Sequence, residues 1–278
     1  MPKKIISVVS GKGGMGKSTL AVNIATLLSK SGASTVLIDA DIYNPCVFFH
    51  LGLSPQASGL KELLDGSSTL EESLPIHPAS GLRCISSSIR AYGKIRSERM
   101  KKVVEMLNYE YIIIDCPPGF SPLIEESVAV SNNVFVMMTP DMPSCTAALK
   151  LVTFIRNHLG GKQDIKFTYF LNRVSNAPYE IHPREVGLLF KSRFGAVIGE
   201  DAGVPKSIAA KTPLVLLNPN SKFSRTLHSF ASVMLRERDH RFDMVAQVPR
   251  RIEPTMEEQR QAGFLGWLSG VMRRIFGR

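Results

Sequence analysis

The segment Ser10-Gly11-Lys12-Gly13-Gly14-Met15-Gly16-Lys17-Ser18-Thr19 decides the fold, because it lies between an apolar run at 5–9 and a helix-patterned segment at 20–29. It satisfies the pattern G-x-x-x-x-G-K-[ST]. In that pattern the glycines turn backbone N–H groups towards phosphate oxygens, the lysine reaches the β- and γ-phosphates, and the hydroxyl ligates Mg²⁺. The helix that begins here adds the positive end of its dipole. The segment therefore predicts a nucleotide-binding phosphate loop.

A second pattern overlaps the same residues. Gly11-x-Gly13-x-x-Gly16 also fits the dinucleotide-binding fingerprint, and Asp39 lies at about the spacing of its ribose-binding acid. That alternative requires neither Lys17 followed by Ser18 nor a second acidic strand end. The chain has both, since the buried run at 111–115 ends in Asp115, a carboxylate suited to the metal side of a phosphate loop. We therefore favour the phosphate loop.

The composition of the 278 residues is that of an ordinary globular protein, and 44% apolar residues supply the core of one α/β domain. The N-terminal residues and the longest apolar runs predict neither a signal peptide nor a membrane span. The cysteines are far apart and form no C-x-x-C pair, so a zinc ribbon is not expected and a reduced cytosolic setting is the simplest interpretation. They are Cys46, Cys84, Cys116 and Cys145.

The formal net charge of +10 favours anionic partners, such as nucleic acid, acidic lipid or the nucleotide itself. Its distribution is uneven, since the stretch 90–102 carries six basic residues against Glu98 alone. Such a run is either a binding patch or the solvated start of a helix, and the pattern does not distinguish the two.

Apolar runs and helix-patterned segments alternate along the first 236 residues. Strands are predicted at 5–9, 34–39, 82–85, 111–115, 133–138, 165–171 and 196–198, and helices at 20–29, 60–64, 97–107, 123–130, 145–158, 183–190 and 222–236. This order predicts an α/β fold with a doubly wound, mostly parallel sheet and helices on both faces. Ligands of such sheets bind at the carboxyl ends of the strands.

The C-terminal part has a different pattern, and we predict an ATPase domain at 1–240, a polar linker at 241–262 and an amphipathic helix at 263–278. On a helical projection the large apolar side chains occupy one half, and Ser269, Arg273 and Arg274 lie on the other. This pattern suits the surface of an anionic membrane, although a helix docked on the protein's own core or on a partner has a similar pattern. The apolar residues are Phe264, Leu265, Trp267, Leu268, Val271, Met272, Ile275 and Phe276.

With these motifs in order, the chain resembles the MinD/ParA/Mrp group of ATPases. Lys12 occupies the position of the extra lysine that marks the deviant phosphate loop of this group. The similarity extends through Asp39-Ala40-Asp41 and Asp115-Cys116-Pro117-Pro118-Gly119 to Asn172, and covers roughly the first 235 residues. Together these motifs are more specific than the loop alone.

The resemblance implies an ATP- and Mg²⁺-dependent ATPase, slow and stimulated by an activator, that forms a homodimer when ATP is bound. In that dimer Lys12 reaches across the interface to the partner's phosphates. Lys12, Lys17 and Asp41 are the implied catalytic residues, with Asp41 orienting the attacking water, and Ser18, Asp39 and Asp115 support the metal. The implied nucleotide-binding residues are Gly11, Gly13, Gly14, Met15, Gly16, Lys17, Ser18, Thr19, Gly119 and Asn172, of which Gly119 senses the γ-phosphate and Asn172 reads adenine.

Members of this group have different cellular functions, and the chain resembles more than one of them. The loop from Asp39 to Pro45 is similar to that of the Mrp/ApbC iron–sulfur carriers, but those carriers use a C-x-x-C pair near the C-terminus and no cysteine follows Cys145. The tail resembles the membrane-targeting helix of MinD. We therefore expect a MinD-like ATPase that cycles on and off the inner face of the cytoplasmic membrane and positions an unidentified activator or cargo protein. An iron–sulfur carrier and a ParA-like DNA-binding partition ATPase remain alternatives.

Overall fold

A parallel β-sheet forms the centre of the fold in the computed structural model, which describes residues 3–88, 91, 93–159 and 165–236. Over these residues the sheet has seven strands in the order β3-β2-β4-β1-β5-β6-β7, and every pairing is parallel. The strands are β1 (Lys4–Val9), β2 (Thr35–Asp39), β3 (Arg83–Ile85), β4 (Tyr111–Asp115), β5 (Asn133–Met138), β6 (Lys166–Val174) and β7 (Phe194–Gly199).

Helices cover both faces of this sheet, as the doubly wound prediction requires. One face carries α1 (Lys17–Lys30), α2 (Val47–Leu51), α8 (Gly203–Ala209), α9 (Leu214–Leu217) and α10 (Lys222–Arg236). The other carries α3 (Leu60–Asp65), α4 (Met100–Met106), α5 (Pro122–Ala129), α6 (Met142–Leu159) and α7 (Pro183–Phe190). The predicted fold class is confirmed.

Strand β4 illustrates why these segments form buried strands. All five of its residues are buried, and alternate side chains enter opposite layers. Ile112 and Ile114 pack in the layer with α4 and α5, whereas Tyr111 and Ile113 pack in the layer with α1. A strand covered on both faces is therefore apolar along its whole length, which is the pattern that the sequence shows.

All seven predicted strands are present, but three short helices were not predicted. α2 follows the break at Asn44-Pro45, α8 contains Gly203 and Pro205, and α9 spans four residues, too few for a helical period to be recognised. The predicted helix 97–107 is a 3₁₀ turn at Ser97–Arg99 followed by α4. The linker 241–262 and the amphipathic helix 263–278 lie outside the described residues, so the three domain boundaries stay predictions.

Among the residues that the structure describes, no helix combines the length and the apolar character that a bilayer crossing requires.

The strand order brings three functional segments together. β4 lies between β1 and β2, with Asp39 of β2 paired in register with Asp115 of β4. The phosphate loop leaves the carboxyl end of β1. Because the carboxyl ends of parallel strands meet at one edge, the loop and both acids share that edge.

A cluster of three phenylalanine rings joins the sheet to α10. The ring of Phe170 in β6 lies 5.0 Å from that of Phe135 in β5 and 4.9 Å from that of Phe230 in α10, centroid to centroid. Replacing Phe170, which is fully buried, by alanine should lower the free energy of unfolding by about 3–5 kcal/mol. Urea denaturation measures the change. Tyr179→Ala, at a side chain that is 85% exposed, is the control and should change stability by less than about 0.5 kcal/mol.

Candidate nucleotide site

The phosphate loop turns tightly between β1 and α1. Gly14 and Gly16 have φ angles of +76° and +92°, which side chains other than glycine rarely adopt. No side chain caps the N-terminus of α1, so its first N–H groups are open to an anion. Lys17, the first helical residue, is only 8% exposed. These features form the cradle that phosphate oxygens require.

The loop is supported from behind by other elements of the fold. A Cβ at Gly11 would lie 2.4 Å from the backbone carbonyl of Ala147 in α6, so that only glycine fits there. The side-chain amide of Asn172 donates to the Met15 carbonyl at 2.9 Å. The predicted adenine-reading role of Asn172 is untested, but the structure places it directly behind the loop. Sequence reasoning missed Ala147, since nothing marks a small helical residue as a loop contact.

Asp115 is the most unusual group of the site. Within the described residues, both of its carboxylate oxygens are buried without a hydrogen-bond partner. Burial, with a contribution from Asp39, raises the pKa of Asp115 to about 8, while Ser18 and Lys17 act in the opposite direction. The Ser18 hydroxyl is close enough to lower this pKa but lies outside hydrogen-bond geometry. A buried carboxylate without partners needs a cation or ordered water near it.

These residues fit the requirements of Mg²⁺. A hydroxyl and an unpaired carboxylate are oxygen donors, and Mg²⁺ keeps several waters rather than requiring a complete protein cage. No cluster of three or more His, Cys, Asp or Glu side chains suited to a metal occurs among the described residues.

Asp39 is buried as deeply as Asp115, but its carboxylate is fully used. Its Oδ2 accepts hydrogen bonds from the backbone N–H groups of Cys46 and Val47 at 3.0 and 3.1 Å and from the Ser86 hydroxyl at 3.1 Å, and its Oδ1 accepts one from the N–H of Asp41 at 3.2 Å. Four bonds approach the capacity of a carboxylate. Burial raises its pKa to about 6 in spite of these donors. Asp39 thus anchors the following loop and the start of α2, and its predicted role near Mg²⁺ stays a prediction.

Asp41, the predicted hydrolytic residue, lies at the mouth of the site. Its side chain is partly buried, which raises its pKa, while the N–H of Asn44 and the charge of Lys17 oppose that rise. The charges of Asp41 and Lys17 are therefore close enough to interact. The predicted role of Asp41 in orienting the attacking water stays a prediction.

Lys12 differs from Lys17 in its exposure to solvent. Its side chain is exposed, and its ammonium makes no hydrogen bond or ion pair within the described part of the chain. Its carbonyl accepts a hydrogen bond from the Ser10 hydroxyl at 2.6 Å, which fixes the backbone while leaving the side chain free. Gly13 and Gly14 are exposed beside it, and Ser18 and Thr19 are half-buried in the first turn of α1.

Gly119 has a φ angle of +79° and open space where a Cβ would be. Its N–H donates to the Ser10 carbonyl at 3.1 Å. A γ-phosphate sensed by this N–H would therefore replace an existing bond.

Cys46 is a site residue that sequence reasoning missed. Burial raises the pKa of its thiol to about 12, with a further rise from Asp39, while the hydroxyl of Ser18 lowers it. The thiol therefore stays protonated beside the Ser18 hydroxyl. A lone cysteine after Asn44-Pro45 gives no signal of this position in the sequence.

The family model ParA, described as NUBPL iron-transfer P-loop NTPase, matches residues 1–160. The chain belongs to the ParA/MinD/Mrp family of P-loop NTPases. Membership of this ATP-binding family rejects the dinucleotide alternative. The predicted membrane residues of the tail lie outside the described residues, so family membership leaves them as predictions.

Relatives of this ParA/MinD/Mrp NTPase include both kinds of protein that its motifs resemble. The septum site-determining protein MinD of Thermotoga maritima is 30% identical over 82% of this chain and 86% of its own. An iron–sulfur cluster carrier protein of Deinococcus radiodurans is 27% identical over 84% of this chain and 69% of its own. The structure of MinD from Pyrococcus horikoshii in complex with Mg-ADP superposes with a TM-score of 0.77 at 21% identity, over 87% of this chain and all of the other, which supports the fold.

The unpaired Asp115 of this NTPase predicts a pH-dependent stability without nucleotide. Between about pH 4 and 8 the folded protein holds a proton that the unfolded chain, with an ordinary pKa of 3.8, releases. Stability should therefore fall as pH rises through this window. Asp115→Asn should flatten that fall, and urea denaturation at pH 4, 6 and 8 without Mg²⁺ or nucleotide measures it.

The matched variant is Asp39→Asn. It exchanges an acceptor of four hydrogen bonds for an amide and should lower stability by about 1–3 kcal/mol at pH 4. Because burial also raises the pKa of Asp39, to about 6, this variant should lose part of the fall in stability between pH 4 and 6, whereas Asp115→Asn should flatten the fall that continues to pH 8. An Asp115→Asn variant whose stability falls with pH as steeply as the wild type would contradict the assignment of an uncompensated buried carboxyl at this position.

Proposed function

We propose that this chain is a MinD-like ATPase whose ATP-bound dimer holds the cytoplasmic membrane and positions a partner protein. The observation that carries the proposal is the exposed Lys12, without a partner in the described part of the chain, beside a complete phosphate loop, since an accessible cation suits phosphates bound by a second copy. The MinD of Thermotoga maritima, at 30% identity, supports this choice within the family.

Each residue of the site has a separate role in phosphoryl transfer. The N–H groups of the phosphate loop and Lys17 bind the β- and γ-phosphates, and Asp41 orients the attacking water. Ser18 and Asp115 would hold Mg²⁺, which when bound neutralises charge on the phosphate oxygens. The N–H of Gly119 leaves the Ser10 carbonyl for the γ-phosphate, so that the loop after β4 registers whether that group is present.

Lys12 supplies the charge that links hydrolysis to assembly. A cation placed against the transferring phosphoryl group from a second subunit acts as an arginine finger does. Each active site is then complete only in the dimer, and ATP forms part of the interface. Hydrolysis removes the γ-phosphate and weakens the contact.

The C-terminal tail would bind the dimer to the membrane. Each large apolar side chain contributes up to about 1.5–3 kcal/mol when fully buried, and the ordering of the tail offsets much of this gain. One tail therefore binds weakly. Two tails joined by ATP insert almost as one unit, and avidity then rises by roughly 10² to 10⁴.

Lys12→Ala separates nucleotide binding from assembly. The variant should bind ATP through Lys17, but it should stay monomeric with a non-hydrolysable ATP analogue and lose hydrolysis by a factor on the order of 10³. Light scattering after size exclusion measures the dimer, and phosphate release measures activity. Lys30→Ala, an exposed lysine at the opposite end of α1, is the matched control. A Lys12→Ala variant that dimerises normally would contradict the role of Lys12 at the interface.

Liposome sedimentation with ATP, ADP and no nucleotide tests the membrane cycle. We expect binding to anionic vesicles only with ATP, because only the dimer presents two tails. Trp267→Glu should abolish this binding and leave nucleotide binding intact, whereas Ser269→Glu, on the polar half of the same helix, should have a smaller effect. Equal sedimentation in the three nucleotide states would rule out the switch. A parallel assay uses DNA in place of the liposomes. Binding of DNA only with ATP and only at low salt would favour the ParA-like partition alternative.

An iron–sulfur carrier is the second candidate, because the matching family model is described as an iron-transfer NTPase and one relative is such a carrier. The cysteines of this chain argue against it. Three of the four are buried with raised pKa values, and Cys46 is protonated beside Ser18. Iron and sulfide analysis after anaerobic purification decides between the candidates, since a carrier retains both elements.

A further inference from the structure

A cavity of about 310 Å³ opens between the loop after β2 and the loop after β4. One wall is formed by residues 40–43, which include Asp41, and the opposite wall by Pro117 and the start of α5 at 121–123. Lys94, Ile95 and Ser97 complete the lining. An occupant of this inter-switch cavity would therefore touch both loops that surround the γ-phosphate position.

The size and the lining of the cavity favour an aromatic group. An apolar cavity of about 150 Å³ accommodates benzene, so the inter-switch cavity has room for a two-ring side chain such as indole. Ile42, Ile95 and Leu123 provide apolar surface. Two exposed aromatic side chains lie on the same two loops, with Tyr43 63% and Phe120 50% exposed. Exposed aromatic residues beside an apolar cavity are typical of protein interaction sites.

The wall formed by Tyr43 is held in place. Its hydroxyl donates to the carbonyl of Gly93 at 3.1 Å, which joins the loop after β2 to the segment that carries Lys94 and Ile95. The base of the same loop is anchored by Asp39, through the N–H groups of Asp41 and Cys46. Hydrogen bonds therefore hold the wall 40–43 at Asp41 and at Tyr43.

The charged side chains beside the cavity determine which charge a partner should carry. Lys94 and Arg96 are exposed and make no ion pair within the described residues. Arg96 lies with Lys94 on an adjoining depression, which also contains Asp65 and Glu98. Asp65 is already bonded to Lys61 at 2.5 Å, and Asp41 on the cavity wall lies close enough to Lys17 to interact with its charge, which leaves Glu98 as the remaining acid beside these two cations. The mouth is therefore net positive, and it complements acidic rather than basic residues.

We propose that the inter-switch cavity binds an aromatic side chain of a partner protein, flanked by acidic residues that face Lys94 and Arg96. Because its two walls belong to the two loops at the γ-phosphate, this partner would distinguish the nucleotide states. The inference rests on the proposed ATPase function and adds the chemistry of the partner.

The test uses three blocked tripeptides and the full-length, ¹⁵N-labelled protein. Tryptophan lies between two glutamates in the first peptide and between two lysines in the second, and alanine lies between two glutamates in the third. We expect the first to shift the amide signals of Ile42 and Ser121, one on each wall, and to bind about three- to tenfold more tightly than the second. The third should produce no shifts at these two amides.

Two variants test the location. Lys94→Glu should weaken the glutamate peptide about three- to tenfold and favour the lysine peptide, whereas Lys102→Glu, an exposed lysine of α4 outside the cavity, should change neither. Ser97→Trp should fill the cavity and abolish binding of both tryptophan peptides. Absence of shifts at Ile42 and Ser121, or affinities that neither Lys94→Glu nor Ser97→Trp alters, would overturn the proposal.

Nucleotide binding, measured on the same samples, separates this inference from the proposed function. Protein that binds ATP but not the peptides contradicts the partner site alone, and protein that does not bind ATP contradicts the ATPase. The glutamate peptide should also bind with different affinities to the ADP form and to the form with a non-hydrolysable ATP analogue. Equal affinities would overturn the link between the cavity and the switch.

Discussion

Two carboxylates buried side by side at one edge of a parallel sheet set the conditions for the rest of the site. Asp39 and Asp115 are register partners on β2 and β4, and both are removed from water. Four hydrogen bonds satisfy Asp39, whereas the described part of the chain offers none to Asp115. One carboxylate therefore anchors the following loop, and the other keeps its oxygens unused. The two acids lie side by side because the strand order makes β2 and β4 neighbours, and not because of any contact that is local in the sequence.

The anchor explains how the first loop is built. By accepting the N–H groups of Cys46 and Val47, Asp39 takes the place of an N-terminal cap for α2, a helix too short to form alone. The same carboxylate fixes the N–H of Asp41. The placement of Asp41, the start of a helix and one wall of the inter-switch cavity therefore depend on one buried side chain.

Much of the fold could be predicted from the sequence, because a parallel sheet covered on both faces requires apolar strands that stand out from their surroundings. The phosphate loop and the acids after β2 and β4 could be found for a related reason, since they follow such strands directly. The helix α2 could not, because its stability comes from a carboxylate seven residues earlier. The contacts of Cys46 with Ser18 and of Asn172 with Met15 depend on tertiary packing, which leaves no periodic trace.

The bond from the N–H of Gly119 to the carbonyl of Ser10 also limits what this glycine alone can achieve. When a γ-phosphate accepts this N–H, the gain in binding free energy is only the difference between the new hydrogen bond and the one to Ser10 that it replaces. Net values of about 0.5–1.5 kcal/mol correspond to a factor of about 2 to 13 in affinity. Discrimination between ATP and ADP must therefore come mainly from charge. In the proposed function the buried Lys17 and the exposed Lys12 provide this charge, so discrimination between ATP and ADP should weaken as ionic strength rises.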